Sequence, residues 1–338
     1  MKEKIHALKE HSFPFVLFRL PGATAAVCYF QQNKKAHFTA NFSENGFVFA
    51  PFRLTKQLLF IPKENSFSFV PTFESHSAHS ELLLPQDQRE SYLYKVNEAL
   101  SAIKKEQFEK IVLSNVFTVS ESPNPLTVFN RLAHKYPTAF IYYWFHPKTG
   151  EWLGASPERF LHLDQNNLTT MALAGTLTNQ DENWSPKEFH EQQLVVDSIV
   201  TGLQTFLTLD QISVGDRETV YAGSLRHLCT RIEAKLSSVS LSTLVKELHP
   251  TPAVGGLPKH AAFQYILAHE EYDRSFYTGF LGPFSDSKQA DFFVNLRCAE
   301  MRTNALRLYT GAGITAGSNP EKEWREICRK ASTFLSVI

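Results

Sequence analysis

The sequence predicts an α+β fold built on antiparallel sheets. Three observations carry that expectation: short aromatic and β-branched runs bounded by turn residues, helical segments set between blocks of strands, and no regular strand–helix–strand alternation of the kind that builds a doubly wound sheet. Hydrophobic residues make up 43% of the 338 and charged residues 20%, which supplies a large core and argues against disorder.

The elements follow in order. Residues 1–75, rich in Phe and Val with turn signals at Pro21-Gly22 and Glu44-Asn45-Gly46, read as short strands. Residues 76–88 (His76, Ser77, His79, Ser80, Gln86, Asp87) read as a polar surface connection. Leu93, Val96, Leu100 and Ile103 recur at helical spacing within 88–106. A strand over Lys110–Val119, a helix near 125–135 and an aromatic strand over Ala139–His146 come next. The turn Lys148-Thr149-Gly150 leads into an extended run Glu151–Leu163, followed by a strand Leu168–Leu177 and a long helix at 186–207. The last third holds helices near 240–248 and 258–270, strands at 276–283, 291–299 and 306–310, a turn at Arg302–Asn304, and a final helix from 320. No tandem repeat or linker divides the chain.

Charge and motif content exclude several functions. Lys and Arg total 34 against 34 Asp and Glu, so no electrostatic footprint for nucleic acid or anionic membrane exists. Cys28, Cys229, Cys298 and Cys328 lie far apart with no CxxC pair, which disfavours a zinc site or a disulfide framework. No signal peptide is readable, and no apolar run approaches the ~18 residues of a membrane helix. A soluble, cytoplasmic protein is expected. Gly311-Ala-Gly313-Ile-Thr-Ala-Gly317 misses the dinucleotide fingerprint, Gly154-Ala-Ser156-Pro-Glu158 lacks the last glycine of a nucleophile elbow, and His190-Glu191 has no second histidine for a zinc protease.

Two helices carry acids at informative places. Ser185-Pro-Lys-Glu188 forms a capping box, and Glu191 borders the apolar stripe of Val195, Val196, Ile199, Leu203 and Phe206, aligned with the small residues Ser198 and Gly202. On the final helix, capped by Ser318 or Asn319, Glu323, Glu326 and Lys330 share a face opposite Trp324, Ile327, Cys328, Ala331, Phe334 and Leu335. Both sets suit a solvated face, with Glu326–Lys330 an ordinary i,i+4 pair of ~0.3–0.5 kcal/mol. The acids of the final helix also suit a pair of hard oxygen ligands beside a cation, Mg²⁺ holding an anionic substrate, though the solvated face is the first reading for both helices. Lys110 and Arg297 are charges inside strand-like runs, and an arginine in a sheet can receive a carboxylate bidentately.

At Leu248-His-Pro-Thr-Pro-Ala-Val-Gly-Gly256 the chain resembles the chorismate-utilising enzymes, and within them most closely the isochorismate synthases. The resemblance extends through Lys110-Ile-Val-Leu-Ser114, Gly154 to Glu158, Leu173-Ala-Gly-Thr176, His190-Glu191, His227-Leu228, Glu270 to Arg274, Leu296-Arg-Cys298, Gly311 to Ile314, and Glu323-Trp-Arg-Glu326 with Lys330. It implies one domain over 1–338, with 95–338 as family core and 1–90 divergent, built from two antiparallel sheets packed face to face with helices outside. It further implies Lys110 as the base that activates water and Glu158 as the acid for a departing hydroxyl. Glu191 and Glu326 would be Mg²⁺ ligands, with Glu323 a ligand or its neighbour. Substrate would be lined by Gly175, Thr176, His227, Ala253, Tyr277, Leu296, Arg297, Tyr309, Gly311, Ala312, Gly313 and Lys330, and all three acids would face the cleft.

The implied reaction is a reversible conversion of chorismate to isochorismate, for menaquinone or siderophore synthesis, with no nucleic acid, membrane or glutaminase partner. Water adds at C2 while the C4 hydroxyl leaves, so acid and base must act at opposite ends. Lys110 must be neutral to accept a proton, and Glu158 must carry one. Ammonia-using anthranilate synthases resemble the chain but carry glutamine where Lys110 stands; aminodeoxychorismate synthases carry a lysine where Ala174 stands; salicylate synthases lack the His-Pro-Thr-Pro segment. A chorismate-binding homologue without turnover would lose the acid or the base. Asn115, in place of the usual arginine after Leu-Ser, and Asp273-Arg-Ser275 depart from the pattern.

Overall fold

The computed structural model describes all residues except 73–83, 86, 179–182 and 224. His76, Ser77, His79, Ser80 and Gln86 of the expected connection lie outside the described residues; Asp87 is an exposed turn residue. The strands are β1 (15–19), β2 (26–30), β3 (37–39), β4 (45–50), β5 (58–62), β6 (65–69), β7 (110–119), β8 (140–146), β9 (150–156), β10 (159–164), β11 (167–178), β12 (212–222), β13 (225–235), β14 (256–257), β15 (280–285), β16 (289–294), β17 (298–302) and β18 (305–315). The helices are α1 (2–10), α2 (89–104), α3 (125–135), α4 (186–204), α5 (241–248), α6 (259–269) and α7 (320–335).

Two nine-stranded sheets result. One runs β14-β7-β18-β17-β9-β8-β1-β2-β6 and the other β12-β13-β11-β10-β16-β15-β4-β5-β3, with antiparallel neighbours throughout. Between the sheets lies an aromatic layer of Phe18, Phe47, Phe49, Phe140, Tyr142, Trp144, Trp152 and Phe293. Phe140 of β8 stacks on Phe293 of β16 at 4.1 Å, stitching one sheet to the other. The outer face of the first sheet is covered by α2, α3, α6 and α7 through Val96, Phe129, Ile266 and Trp324. The second is covered by α4 and α5 through Val195, Ile199, Leu203 and Leu244. Strands buried on both faces read as continuous apolar runs, as in Phe15–Phe18, where Val16 and Phe18 point inward while Phe15 and Leu17 point outward. The heavy phenylalanine content is spread over the inter-sheet layer and the two layers under the helices, as with Phe47 between the sheets, Phe129 of α3 and Phe280 in the second sheet's outer core.

The α+β class and face-to-face antiparallel sheets agree with the sequence reading. The first 70 residues extend both sheets, β1 pairing with β8 and β4 with β15. Several local expectations change. Residues 2–10 form a helix rather than a strand, with Ile5 and Leu8 as its buried anchors. The β12–β13 hairpin had no counterpart in the sequence reading, because β12 is an exposed edge strand with little apolar alternation. The expected strand 276–283 begins only at Phe280.

Two expected continuous runs break instead, and both breaks matter. Glu151–Leu163 divides at Pro157-Glu158 into β9 of the first sheet and β10 of the second. The 291–299 run divides at Asn295–Arg297 into β16 and β17, again one strand in each sheet. The crossings lie side by side: Val294 N–H donates to Glu158 O at 3.0 Å and Ala155 N–H to Arg297 O at 3.1 Å. Arg297 has φ of +48°, in the left-handed region that terminates a strand. It is thus a residue of the crossing, not of a sheet.

Candidate active site

The paired crossings, β18, the start of α4 and the face of α7 line a cleft. It is lined by fourteen of the seventeen site residues expected from the sequence: Glu158, Gly175, Thr176, Glu191, His227, Ala253, Tyr277, Leu296, Arg297, Tyr309, Gly311, Gly313, Glu326 and Lys330. Lys110, Ala312 and Glu323 stand apart. Lys110 is fully buried beside Gly313, on the same face of the sheet, and reaches Glu191 Oε1 with Nζ at 3.1 Å. Ala312 departs from expectation because strand alternation turns its methyl into the apolar core under the helices. Glu323 departs too: it is 1% exposed, facing Lys187 rather than the cleft.

Gly313 shapes this wall. A Cβ there would stand 2.3 Å from Glu191 Oε1 and 3.2 Å from Lys110 Cε, so only glycine admits that ion pair. At Gly311 a Cβ would lie 2.8 Å from the Tyr277 hydroxyl. The strand bearing Lys110 is fixed from behind. Arg274, buried with Glu270, donates to Val112 O at 2.6 Å and to Val254 O at 2.8 Å. Glu270 accepts from Ser114 N at 2.8 Å. This clamp ties β7 to the loop carrying Ala253, the first task visible for the Glu270–Arg274 motif. Ser275, where the related enzymes more often carry glycine after the arginine, holds φ of +52° in the left-handed region. Asn115 turns away from the cleft and donates to Gln88 at the start of α2 at 2.8 Å.

Electrostatics separates the charged groups into roles. Burial pushes the Glu158 carboxyl up to about 8, against the opposing pull of Lys110 and Lys330. It is therefore a protonated acid near neutral pH. Burial would also raise Glu191, but Lys110, Lys187 and Lys330 outweigh it and hold this carboxylate below its ordinary range. Burial, then Arg297 and Lys330, hold His227 well below its usual value. Its tautomer follows from its partners. Arg297 Nη2 can only donate to Nε2 at 2.7 Å, so Nδ1 carries the proton and donates to Gly175 O at 3.0 Å.

Arg297 itself is buried, and among the described residues no carboxylate lies within ion-pairing distance of it. Its other contact is the Ala222 carbonyl at 3.2 Å. Burial lowers the guanidinium to about 10. A buried cation without an anion is costly unless a ligand supplies one. Lys330 bonds Gly311 O at 2.8 Å and Glu326 Oε1 at 2.8 Å, so the plain i,i+4 pair exists and faces the cleft as well.

Sequence reasoning missed Lys187, second residue of α4. Its ammonium lies 2.6 Å from Glu323 Oε1, and its charge is stabilised by Glu323, Glu191 and Glu326, which together outweigh burial. Burial and then Glu326 push Glu323 up to about 7, with Lys187 opposing. Contact with so strongly held an ammonium favours the carboxylate form of Glu323. Thr310 was missed too: it lines the cleft, and its buried hydroxyl has no partner among the described residues. Its strand neighbours Tyr309 and Gly311 were the available signal.

Among the described residues no group of three or more His, Cys, Asp or Glu is arranged to hold a metal. Mg²⁺ typically takes one or two carboxylates and completes its shell with water and substrate oxygens. Glu191 and Glu326 in one cleft wall, with the Lys187 ammonium already standing in as a cation beside them, fit that demand in donor chemistry.

The cleft thus combines a buried acid held protonated near neutral pH with a buried guanidinium that has no carboxylate partner among the described residues. Residues 6–338 match the chorismate binding enzyme family, and the chain belongs to it. It is 32% identical over 256 residues to isochorismate synthase MenF of Haemophilus influenzae, a match covering 72% of this chain and 59% of that protein. It is 34% identical over 266 residues to the salicylate biosynthesis isochorismate synthase of Pseudomonas aeruginosa, covering 74% and 55% respectively. The matched region thus spans little more than half the length of these relatives. A crystal structure from Bacillus anthracis, assigned as a 2,3-dihydroxybenzoate-specific isochorismate synthase, superposes with a TM-score of 0.83 at 25% identity, covering 100% of this chain and 99% of that one.

Proposed function

We propose that the chain is an isochorismate synthase, converting chorismate reversibly to isochorismate with Mg²⁺. The observation that carries this reading is one cleft lined by the protonated Glu158 and by Arg297, which has no carboxylate partner among the described residues, with the buried Lys110 near enough to act on Glu158 electrostatically. Lys110, in its neutral form, takes a proton from water as the water oxygen bonds to C2; Glu191, once it holds Mg²⁺, would no longer be the carboxylate that keeps the Lys110 ammonium charged. The ring double bonds shift, the C4–O bond breaks, and Glu158 protonates the departing hydroxyl so that it leaves as water. One water enters and one leaves, so the net change is an isomerisation. Arg297 and Lys330 receive carboxylate, and His227, locked by Gly175, orients the guanidinium. Mg²⁺, held by Glu191 and Glu326, would supply a Lewis-acidic counter-charge to a substrate carboxylate.

Lys110 in place of glutamine and Ala174 in place of a nucleophilic lysine support water as nucleophile over ammonia or an enzyme amine. The names of the relatives support the same product and fit a menaquinone or siderophore route. Four free thiols suit the reducing cytoplasm. The test is one incubation with chorismate and MgCl₂, products resolved by chromatography. Isochorismate is expected; anthranilate, aminodeoxychorismate or salicylate as main product would overturn the assignment.

A further inference from the structure

Each acid on the metal side of the cleft is paired with a lysine: Glu191 with Lys110 at 3.1 Å, Glu323 with Lys187 at 2.6 Å and Glu326 with Lys330 at 2.8 Å. Lys110 and Lys330 have work in the proposed reaction. Lys187 has none, and it does not line the substrate cavity. Its position is also unfavourable on local grounds, since it occupies the first turn of α4, where the helix dipole disfavours a cation. Something must outweigh that. The side chain is only 22% exposed, and its stem runs past Gly317, where a Cβ would lie 3.6 Å from Lys187 Cγ. The ammonium is thereby delivered among Glu323, Glu191 and Glu326, which face it from α7 and from α4 itself; Lys110 and Lys330 are the other charges near this group.

We propose that Lys187 is the resident counter-ion of the metal side of the cleft, holding the three carboxylates together when no divalent cation is bound and weakening the affinity for that cation when one arrives. This rests on the reading that Glu191 and Glu326 hold Mg²⁺. Three carboxylates without Lys187 repel one another, so the metal-free fold loses a stabilising charge. A divalent ion entering the same field would then meet no competing ammonium. Lys187 therefore lets the cleft fold before loading and keeps Mg²⁺ exchangeable.

The experiment titrates MgCl₂ alone into full-length wild type and K187M by calorimetry, and melts both in EDTA. K187M is expected to bind Mg²⁺ at least tenfold more tightly and to melt several degrees lower in EDTA. K187R, which keeps the charge, should stay near wild type in both readouts. If K187M does not fold, K187Q carries the same expectation. Unchanged or weaker Mg²⁺ binding in a folded K187M or K187Q would overturn the proposal and make Lys187 a scaffold for Glu323. No Mg²⁺ binding by wild type or variant would instead remove the metal reading, and the affinity half of the proposal with it. That failure is distinguishable, because wild type itself then shows no heat.

Discussion

Replacing Glu158 by glutamine should make the protein more stable and nearly inactive. Among the described residues no hydrogen bond reaches the Glu158 carboxyl, and burial pushes it up to about 8 from an ordinary 4.5. Below about 4.5 both folded and unfolded chains hold the proton, and the group has no effect on stability. As pH rises the unfolded chain ionises first, so stability falls until the folded chain ionises near 8. At 1.36 kcal/mol per unit, that gap corresponds to roughly 5 kcal/mol as a ceiling. Glutamine keeps the shape and removes the titration. Urea unfolding at pH 5 and pH 8 should show wild type losing several kcal/mol more than E158Q over this interval. Turnover of E158Q should drop roughly 10²–10⁴-fold with chorismate and with isochorismate alike, because the acid in one direction is the base in the other. Parallel stability profiles for the two proteins would refute the protonated buried acid. A variant slow with chorismate but unimpaired with isochorismate would refute its role.

Arg297→Met removes a buried guanidinium that has no carboxylate partner among the described residues. Chorismate binding by titration should weaken about 100-fold, the value of a charge-assisted pair near 2–3 kcal/mol, while thermal stability holds or rises. Gly313→Ala places a Cβ against Glu191 Oε1 and Lys110 Cε, so turnover should collapse with the circular dichroism spectrum unchanged. Glu270→Ala leaves Arg274 buried and unpaired; unfolding free energy should fall by about 3–5 kcal/mol.

How much of this was legible in the sequence depended on where the information is local. The capping box of α4, the Asn319 cap of α7 and the apolar spacing of both helices are local, and both helices begin where the sequence places them. The resemblance marked most of the cleft, because its residues fall in short ordered motifs. The strand breaks were not legible. Nothing in Leu296-Arg297-Cys298 says that the chain leaves one sheet for the other there, since the event depends on pairing with strands more than a hundred residues away. Glu323 and Ala312 failed for the same reason from the opposite side. Glu323 lies in the helix expected for it and Ala312 in β18, which runs beyond the expected 306–310, but the depth at which each face is covered is a tertiary quantity. Lys187 was passed over because a lysine inside a capping box reads as solvent-facing; α7, brought against it by the fold, supplies its direct partner Glu323.

The charge count of the cleft explains why these residue types belong together. Three carboxylates meet three ammonium groups, Glu158 and His227 are neutral, and Arg297 remains as the single cation without an anion among the described residues. A dianion entering alone would meet that guanidinium but would also face the carboxylates of Glu191 and Glu326. A divalent cation entering alone would meet those carboxylates but would face three lysines and an arginine. Entering together, the dianion and the divalent cation would cancel each other's charge. On the proposed reading, each of the two is therefore expected to bind more tightly in the presence of the other, reciprocally and by the same factor.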